Sequence, residues 1–287
     1  MSPLDAHLHV WDLEVGRYPW LGPEHGDLYR SHLPAEAERE LGDAGVAGAV
    51  LVQAEDTATD TAWLLETAAS HPWVLGVVGW VQLDDPDVAA VQLDELAGSH
   101  LCGIRHLVHD DHRPDFLDLP GVRRSLARVA RLGLPLDVPD AWPRHLDAVA
   151  RLADALPELT VVLDHLAKPP RGGDDLAAWE QALRGAGERP NVVAKLSGLH
   201  VPGQPFTVDA LRPVRDVALD VFGARRLMFG SDWPMAAQHT AYAEVLEVAR
   251  ALVGELGAAE QEEIWAGTAR RVYDLSEGST DGRKRDV

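Results

Sequence analysis

Two histidines one residue apart sit near the start of the chain, in the stretch Leu4-Asp5-Ala6-His7-Leu8-His9-Val10. Read as a β-strand, its side chains alternate between faces. Leu4, Ala6, Leu8 and Val10 then share one face, and Asp5, His7 and His9 share the other. Three polar groups buried in a row are costly unless each finds a partner. A divalent cation, or a hydrogen-bond network around a catalytic water, would supply one. A second stretch ends Met228-Phe229-Gly230-Ser231-Asp232-Trp233-Pro234. A carboxylate at such a position can coordinate a metal or take a proton from water, although Asp before Trp-Pro also suits a turn or a helix cap. The third is Val161-Val162-Leu163-Asp164-His165-Leu166-Ala167-Lys168-Pro169. Alternation admits only one of Asp164 and His165 fully inward. His165 is favoured, because neutral imidazole is the commonest transition-metal ligand.

Cations accompany these groups. Arg105-His106 closes one apolar run and Lys195 lies within another. Positive charge there suits a carbonyl on which negative charge develops, or a substrate carboxylate. A structural ion pair, for example between Lys195 and Asp137, is the plainer alternative. Tyr18, Trp20 and Trp233 could floor a pocket for a sugar-like ring, although core packing more often explains a single aromatic.

The elements that must position these residues follow a regular pattern. Candidate strands span 4–10, 49–53, 74–81, 103–108, 134–138, 160–166, 191–196 and 226–232. Amphipathic stretches separate them, such as Leu146, Val149, Leu152, Ala153 and Leu156 on one stripe, and Tyr242, Val245, Leu246, Ala249, Leu252 and Val253 on another. Apolar residues at that spacing mark helices. Strand–helix alternation implies a parallel sheet, and eight units can close into a (β/α)8 TIM barrel. A further helix is expected over 258–273. No Gly-x-Gly-x-x-Gly follows the first strand, so an open dinucleotide-binding sheet loses its main support. The barrel is expected to fill residues 1–275, with a disordered polar tail over 276–287. Three long loops, 11–34, 109–120 and 198–207, follow predicted strands and should gather at the catalytic mouth.

Composition narrows the partners. The chain has 287 residues and a formal net charge of −20, which disfavours nucleic acid and anionic membrane surfaces. No apolar run approaches the ~20 residues of a membrane span. The first residues do not read as a secretory leader. Lone Cys102 has no internal disulfide partner, which fits a reducing cytoplasm. Association into a homo-oligomer is compatible with all of this.

Taken in order, the motifs resemble the amidohydrolase superfamily, and within it the amidohydrolase-related branch that includes sugar-acid lactonases such as the fuconolactonases. The resemblance runs from Asp5-Ala6-His7-Leu8-His9-Val10-Trp11-Asp12 to Gly267-Thr268-Ala269-Arg270-Arg271-Val272-Tyr273. It passes through Arg17-Tyr18-Pro19-Trp20-Leu21, Gly103 to Asp110, Val162 to Pro169, Lys195-Leu196-Ser197-Gly198 and Met228 to Pro234. It implies a barrel with His7, His9, His165 and Asp232 around the reaction centre, and hydrolysis of the ester bond of a sugar-derived lactone. It implies one divalent ion, zinc by default for imidazole-rich sites. Metal use varies in this branch, so the ion is also dispensable on the resemblance. Asp232 would accept a proton from water, His165 would help to orient that water, and Arg105 or His106 would polarise the carbonyl. Tyr18, Trp20, Lys195 and Trp233 would contact the substrate. Two departures stand out: Leu136-Asp137-Val138-Pro139-Asp140-Ala141-Trp142-Pro143 replaces an apolar fifth strand and a Pro-x-His-Leu segment, and Ala167 stands where Gly is more usual. The rival readings are a metal-dependent decarboxylase of an aromatic or unsaturated acid, and a non-catalytic sugar-acid binder.

Overall fold

In the computed structural model, which describes residues 2–238 and 240–275, eight parallel strands follow one another in chain order. They are β1 (Leu4–Leu8), β2 (Gly48–Val52), β3 (Val74–Gly79), β4 (Leu101–Arg105), β5 (Leu136–Val138), β6 (Val161–Leu163), β7 (Val192–Leu196) and β8 (Leu227–Phe229). Helices alternate with them: α1 (Pro34–Ala44), α2 (Ala58–Ser70), α3 (Pro86–Glu95), α4 (Pro120–Arg131), α5 (Leu146–Ala155), α6 (Leu176–Gly187), α7 (Val208–Phe222) and α8 (Tyr242–Val253). The expected last helix is α9 (Ala258–Glu262) and α10 (Thr268–Val272), joined by a π-helical turn, Glu263–Gly267. This is the (β/α)8 barrel that the alternation predicts. The expected tail lies outside the described residues. Among the described residues no helix is long and apolar enough to cross a membrane.

Local signals set the helix starts. Thr57 and Asp85 accept backbone N–H bonds at the heads of α2 and α3, which satisfies otherwise orphaned donors. Proline opens α1, α3 and α4, where its missing N–H costs nothing. The stripes read from the sequence on α5 and α8 are the buried faces, except that Leu156 caps α5.

Most expected strands run past the observed ones at their carboxyl ends. His9, Asp164, His165 and Asp232 all lie just beyond the last ladder residue of their strands, in the backbone that turns over the barrel mouth. The β8–β1 seam is joined there. His9 N–H donates to the Trp233 carbonyl at 2.7 Å and Asp232 N–H to the His7 carbonyl at 2.9 Å. Gly230 is required at this seam, since a Cβ would stand 2.6 Å from His7 Cβ.

Strict alternation fails in β1. Asp5 pairs with Ala49 and Leu8 with Leu51, so three steps on β1 match two on β2. Such a bulge shifts side-chain parity. Leu4 and Ala6 consequently pack inside the barrel with Val50, Val78 and Met228, whereas Leu8 packs against the helices. Asp5, expected inside with the histidines, instead reaches Tyr242 of α8. The barrel is thereby filled in layers. An apolar floor is closed from below by Ala266, Ala269 and Tyr273. Above it His7, Arg105, Asp137, Asp164 and Lys195 form a buried charged layer. The mouth groups stand on top of that layer.

Candidate active site

Asp5 shows how the seam positions its neighbours. One carboxylate oxygen accepts from Ser231 N–H at 2.9 Å and from His7 N–H at 3.1 Å, and the other accepts from the Tyr242 hydroxyl at 3.1 Å. It ties β1 to the end of β8, and so fixes His7 relative to Asp232. Burial raises its pKa to about 6, against the pull of those hydrogen bonds.

Four side chains converge above. His7 Nε2 and His9 Nε2 are 3.1 Å apart. Asp232 Oδ1 lies 3.7 Å from each of these nitrogens and 3.8 Å from His165 Nε2. Donors about 2.1 Å from a common ion stand roughly 3.0–3.4 Å from one another, so the set needs little adjustment to hold one. The remaining ring nitrogens strengthen the fit. His9 Nδ1 is 2.7 Å from the Val52 carbonyl, His165 Nδ1 is 2.9 Å from Ser197 Oγ, and His7 Nδ1 is 3.2 Å from Asp164 Oδ1. Each imidazole can donate its Nδ1–H to oxygen and keep its Nε2 lone pair for the centre, the arrangement expected of metal-binding histidines. Two neutral nitrogens facing each other with lone pairs are well suited to a cation between them. The chemistry of this donor set fits a divalent metal ion.

Asp164 and His165 both serve the centre, although alternation allowed only one. After β6 the backbone turns left-handed for four residues, with φ of 55° at His165, 52° at Leu166, 61° at Ala167 and 63° at Lys168. Asp164 continues the inward direction of the strand, and the turn brings His165 over the top. L-residues adopt this conformation at about 1–2 kcal/mol each. It is held by Trp179 Nε1–H on the Leu166 carbonyl (2.9 Å), Trp142 N–H on the Ala167 carbonyl (3.0 Å) and Lys168 N–H on the His165 carbonyl (2.9 Å). Asp232 is left-handed too, with φ 60°. Gly198, at φ 54°, leaves the space that both use, since a Cβ there would lie 2.3 Å from His165 Nδ1 and 2.8 Å from Asp232 Oδ2.

Lys195 lies under this centre, fully buried. Its Nζ is 2.6 Å from Asp137 Oδ2, 3.0 Å from Asp164 Oδ1 and 3.0 Å from His7 Nδ1. Tyr273 donates its hydroxyl to Asp137 at 2.7 Å from below, and Arg105 Nη1 is 3.3 Å from Asp164. Burial would raise the Asp164 pKa, but Lys195, His7 and Arg105 outweigh it and hold the carboxyl well below its usual range. Burial lowers both His7 and His9 well below the usual imidazole value, keeping them neutral and able to act as ligands. Asp232 is raised by burial, against the opposing pull of His165 and Lys168. A raised carboxylate is a stronger base.

A cleft of about 650 Å³, open to solvent, begins at this centre. His9, His165, Asp232 and Arg105 form its polar base. Trp11, Trp20, Ala54 and Met235 supply apolar lining, and His109, Asp110, Asp140 and Lys168 supply polar lining. Trp20 is fixed by its indole N–H on the Ala54 carbonyl at 2.8 Å.

The other sequence candidates fall elsewhere. Lys195 lies one layer below the centre, where its contacts are ionic. The plainer ion pair with Asp137 is the arrangement found, and Lys195, fully buried, does not line the cleft. Tyr18 does not line the cleft; its hydroxyl donates to Asp60 at 2.7 Å and so pins the loop that carries Trp20. Trp233 is buried against His32, with ring centroids 5.4 Å apart. His106 is gripped by Asp56 at 2.9 Å and Asp111 at 3.0 Å and stacks on Phe116. Burial opposes its protonation, but the two carboxylates win and raise its pKa. It faces a neighbouring acidic hollow, which leaves Arg105 as the cation at the base of the cleft. Residues missed from the sequence are Trp11, His109, Asp110, Asp140, Lys168 and Met235. Lys168 and Asp140 had a usable signal, since each lies a few residues beyond an expected strand end.

A parallel eight-stranded barrel with imidazoles and one aspartate at its carboxyl-terminal mouth defines the class, and the comparisons agree: the amidohydrolase family model matches residues 4–275. The chain belongs to that family. It is similar to an L-fucono-1,5-lactonase of Burkholderia multivorans, 35% identical with 96% of each chain covered. A crystal structure of an amidohydrolase from Burkholderia multivorans with bound Zn superposes with a TM-score of 0.88, at 34% identity, over 96% of this chain and 100% of that one. A 2,6-dihydroxybenzoate decarboxylase from Rhizobium shares the fold more distantly, at 17% identity and a TM-score of 0.66 over 96% and 99% of the two chains.

Proposed function

We propose that this amidohydrolase opens a sugar-derived 1,5-lactone by attack of water on the ring carbonyl. The observation that carries the reading is the solvent-reached Asp232 carboxylate among three imidazoles, in a chain 35% identical to an L-fucono-1,5-lactonase.

Asp232 takes the proton from the attacking water as its oxygen bonds to the carbonyl carbon. The Asp232 carboxyl, now protonated, then returns that proton to the ring oxygen as the carbon–oxygen bond breaks, giving a hydroxy acid. His165, whose Nε2 lies 3.8 Å from Asp232 Oδ1, orients the water beside it. Arg105 faces the carbonyl oxygen as it becomes negative, a role worth several kcal/mol in a site sheltered from solvent. Asp164 and Lys195 hold His7 in place from beneath. The apolar lining of Trp11 and Trp20 suits the C–H face of a pyranose-like ring. His7, His9, His165 and Asp232 would hold a divalent ion, zinc by its affinity for imidazole and by its presence in the relative; when bound it would polarise the carbonyl and lower the pKa of water.

Acid release from L-fucono-1,5-lactone and related aldonolactones, followed with a pH indicator with and without chelator, tests the reading. Turnover well above the spontaneous rate is expected. No acid from any lactone in the panel would refute it, and the chelator arm decides whether the ion is required.

A further inference from the structure

Two residues beyond the carboxyl ends of the neighbouring parallel strands β5 and β6 share unusual features. Asp140 follows β5 with φ 43°, and Lys168 follows β6 with φ 63°. Neither is glycine, so both positions are strained. Their charged ends face each other with Lys168 Nζ 3.9 Å from Asp140 Oδ2, both partly open to solvent and both lining the cleft. An exposed ion pair at that separation contributes little to stability, and does not offset the backbone cost. The left-handed run that places His165 ends at Lys168, and both members of the pair line the cleft.

The spacing itself points to the ligand. At 3.9 Å the pair is beyond direct hydrogen-bond reach. One hydroxyl oxygen can sit beside both, accepting from the ammonium and donating to the carboxylate at about 2.8 Å each. Only a group that is donor and acceptor at once satisfies both partners. The same cleft is lined by Trp11 and Trp20, so a ring with a C–H face and a hydroxyl-bearing edge has partners of both kinds there.

We propose that Asp140 and Lys168 form a hydroxyl-recognition pair that determines which lactones this enzyme selects. The inference rests on the lactonase reading and adds the substrate class: lactones carrying a ring hydroxyl on the edge facing β5 and β6.

The test compares kcat/KM for an aldono-1,5-lactone with that for unsubstituted δ-valerolactone, in the wild type and in Asp140→Gly and Lys168→Met. Glycine accepts the positive φ at 140, and methionine keeps the apolar stem at 168. Each substitution should lower the ratio of the two values by about 10- to 100-fold, the loss expected for one charge-assisted hydrogen bond. Equal losses on both lactones, or no loss on either, would overturn the pair's role and leave the lactonase reading standing. A wild-type enzyme that opens neither lactone overturns the lactonase reading, and the pair falls with it.

Discussion

Lys195→Met removes the single ammonium that separates two buried carboxylates. Afterwards Asp137 Oδ2 keeps only the Tyr273 hydroxyl at 2.7 Å, and Asp164 Oδ1 keeps only His7 Nδ1 at 3.2 Å. His7, Asp137, Asp164 and Lys195 are fully buried, so water cannot replace the lost partner. Breaking one partner out of a buried ionic set costs about 3–5 kcal/mol, a large fraction of the roughly 5–15 kcal/mol that holds a typical protein folded. Adding Asp137→Asn removes one of the stranded charges while keeping an acceptor for Tyr273, and should recover about 2 kcal/mol. The pH sign is also determined. Asp137 already has its pKa raised to about 6 by burial, against the pull of Lys195. Without the ammonium that value rises further, the folded state holds a proton that the unfolded chain releases near pH 4, and stability falls as pH increases across that window. Urea unfolding followed by tryptophan fluorescence at pH 5 and pH 8 measures both effects. A loss below about 1 kcal/mol, or strictly additive single and double variants, would refute the reasoning.

Two further outcomes follow from single residues. His32 is buried and packs edge-on against Trp11 and Trp233. Burial lowers its pKa from 6.5 to about 4, so the unfolded chain gains a proton first and stability drains as pH falls from 6.5 towards 4. His32→Phe should lose up to about 3 kcal/mol less than wild type over that range; parallel unfolding curves would contradict it. Ala167→Gly places glycine at φ 61°, exchanging about 1–2 kcal/mol of left-handed strain for a smaller entropy cost. A rise of a few degrees in Tm is expected, and a fall would show that the turn is not strained.

Much of this molecule was legible because its regularities are periodic. Eight strand–helix units and the α5 and α8 stripes follow from spacing, whereas the grouping of His7, His9, His165 and Asp232 is implied by the family resemblance. What escaped depends on breaks in period. The bulge in β1 turns Asp5 outward to Tyr242, and no residue type at 5–7 announces it. The left-handed run 165–168 lets Asp164 and His165 both serve one centre, against simple alternation. The preference for glycine at position 167 was the trace of that turn, readable only once its φ was known. Lys195 and His106 looked like mouth cations from sequence, but their partners Asp137, Asp164, Asp56 and Asp111 are 31 to 58 residues away or across a loop. The Lys195–Asp137 pair is open from sequence as the plainer alternative; the contacts with Asp164, Asp56 and Asp111 depend on the closed barrel and have no local signature.

The central claim is that Asp232 moves the proton of the attacking water. Asp232→Asn keeps the shape and the left-handed backbone, since Asn tolerates that region, but removes the base. Steady-state hydrolysis of an aldono-1,5-lactone should fall about 10³-fold while the urea midpoint stays close to that of the wild type. Activity within tenfold of wild type, in a variant that folds normally, would contradict the account.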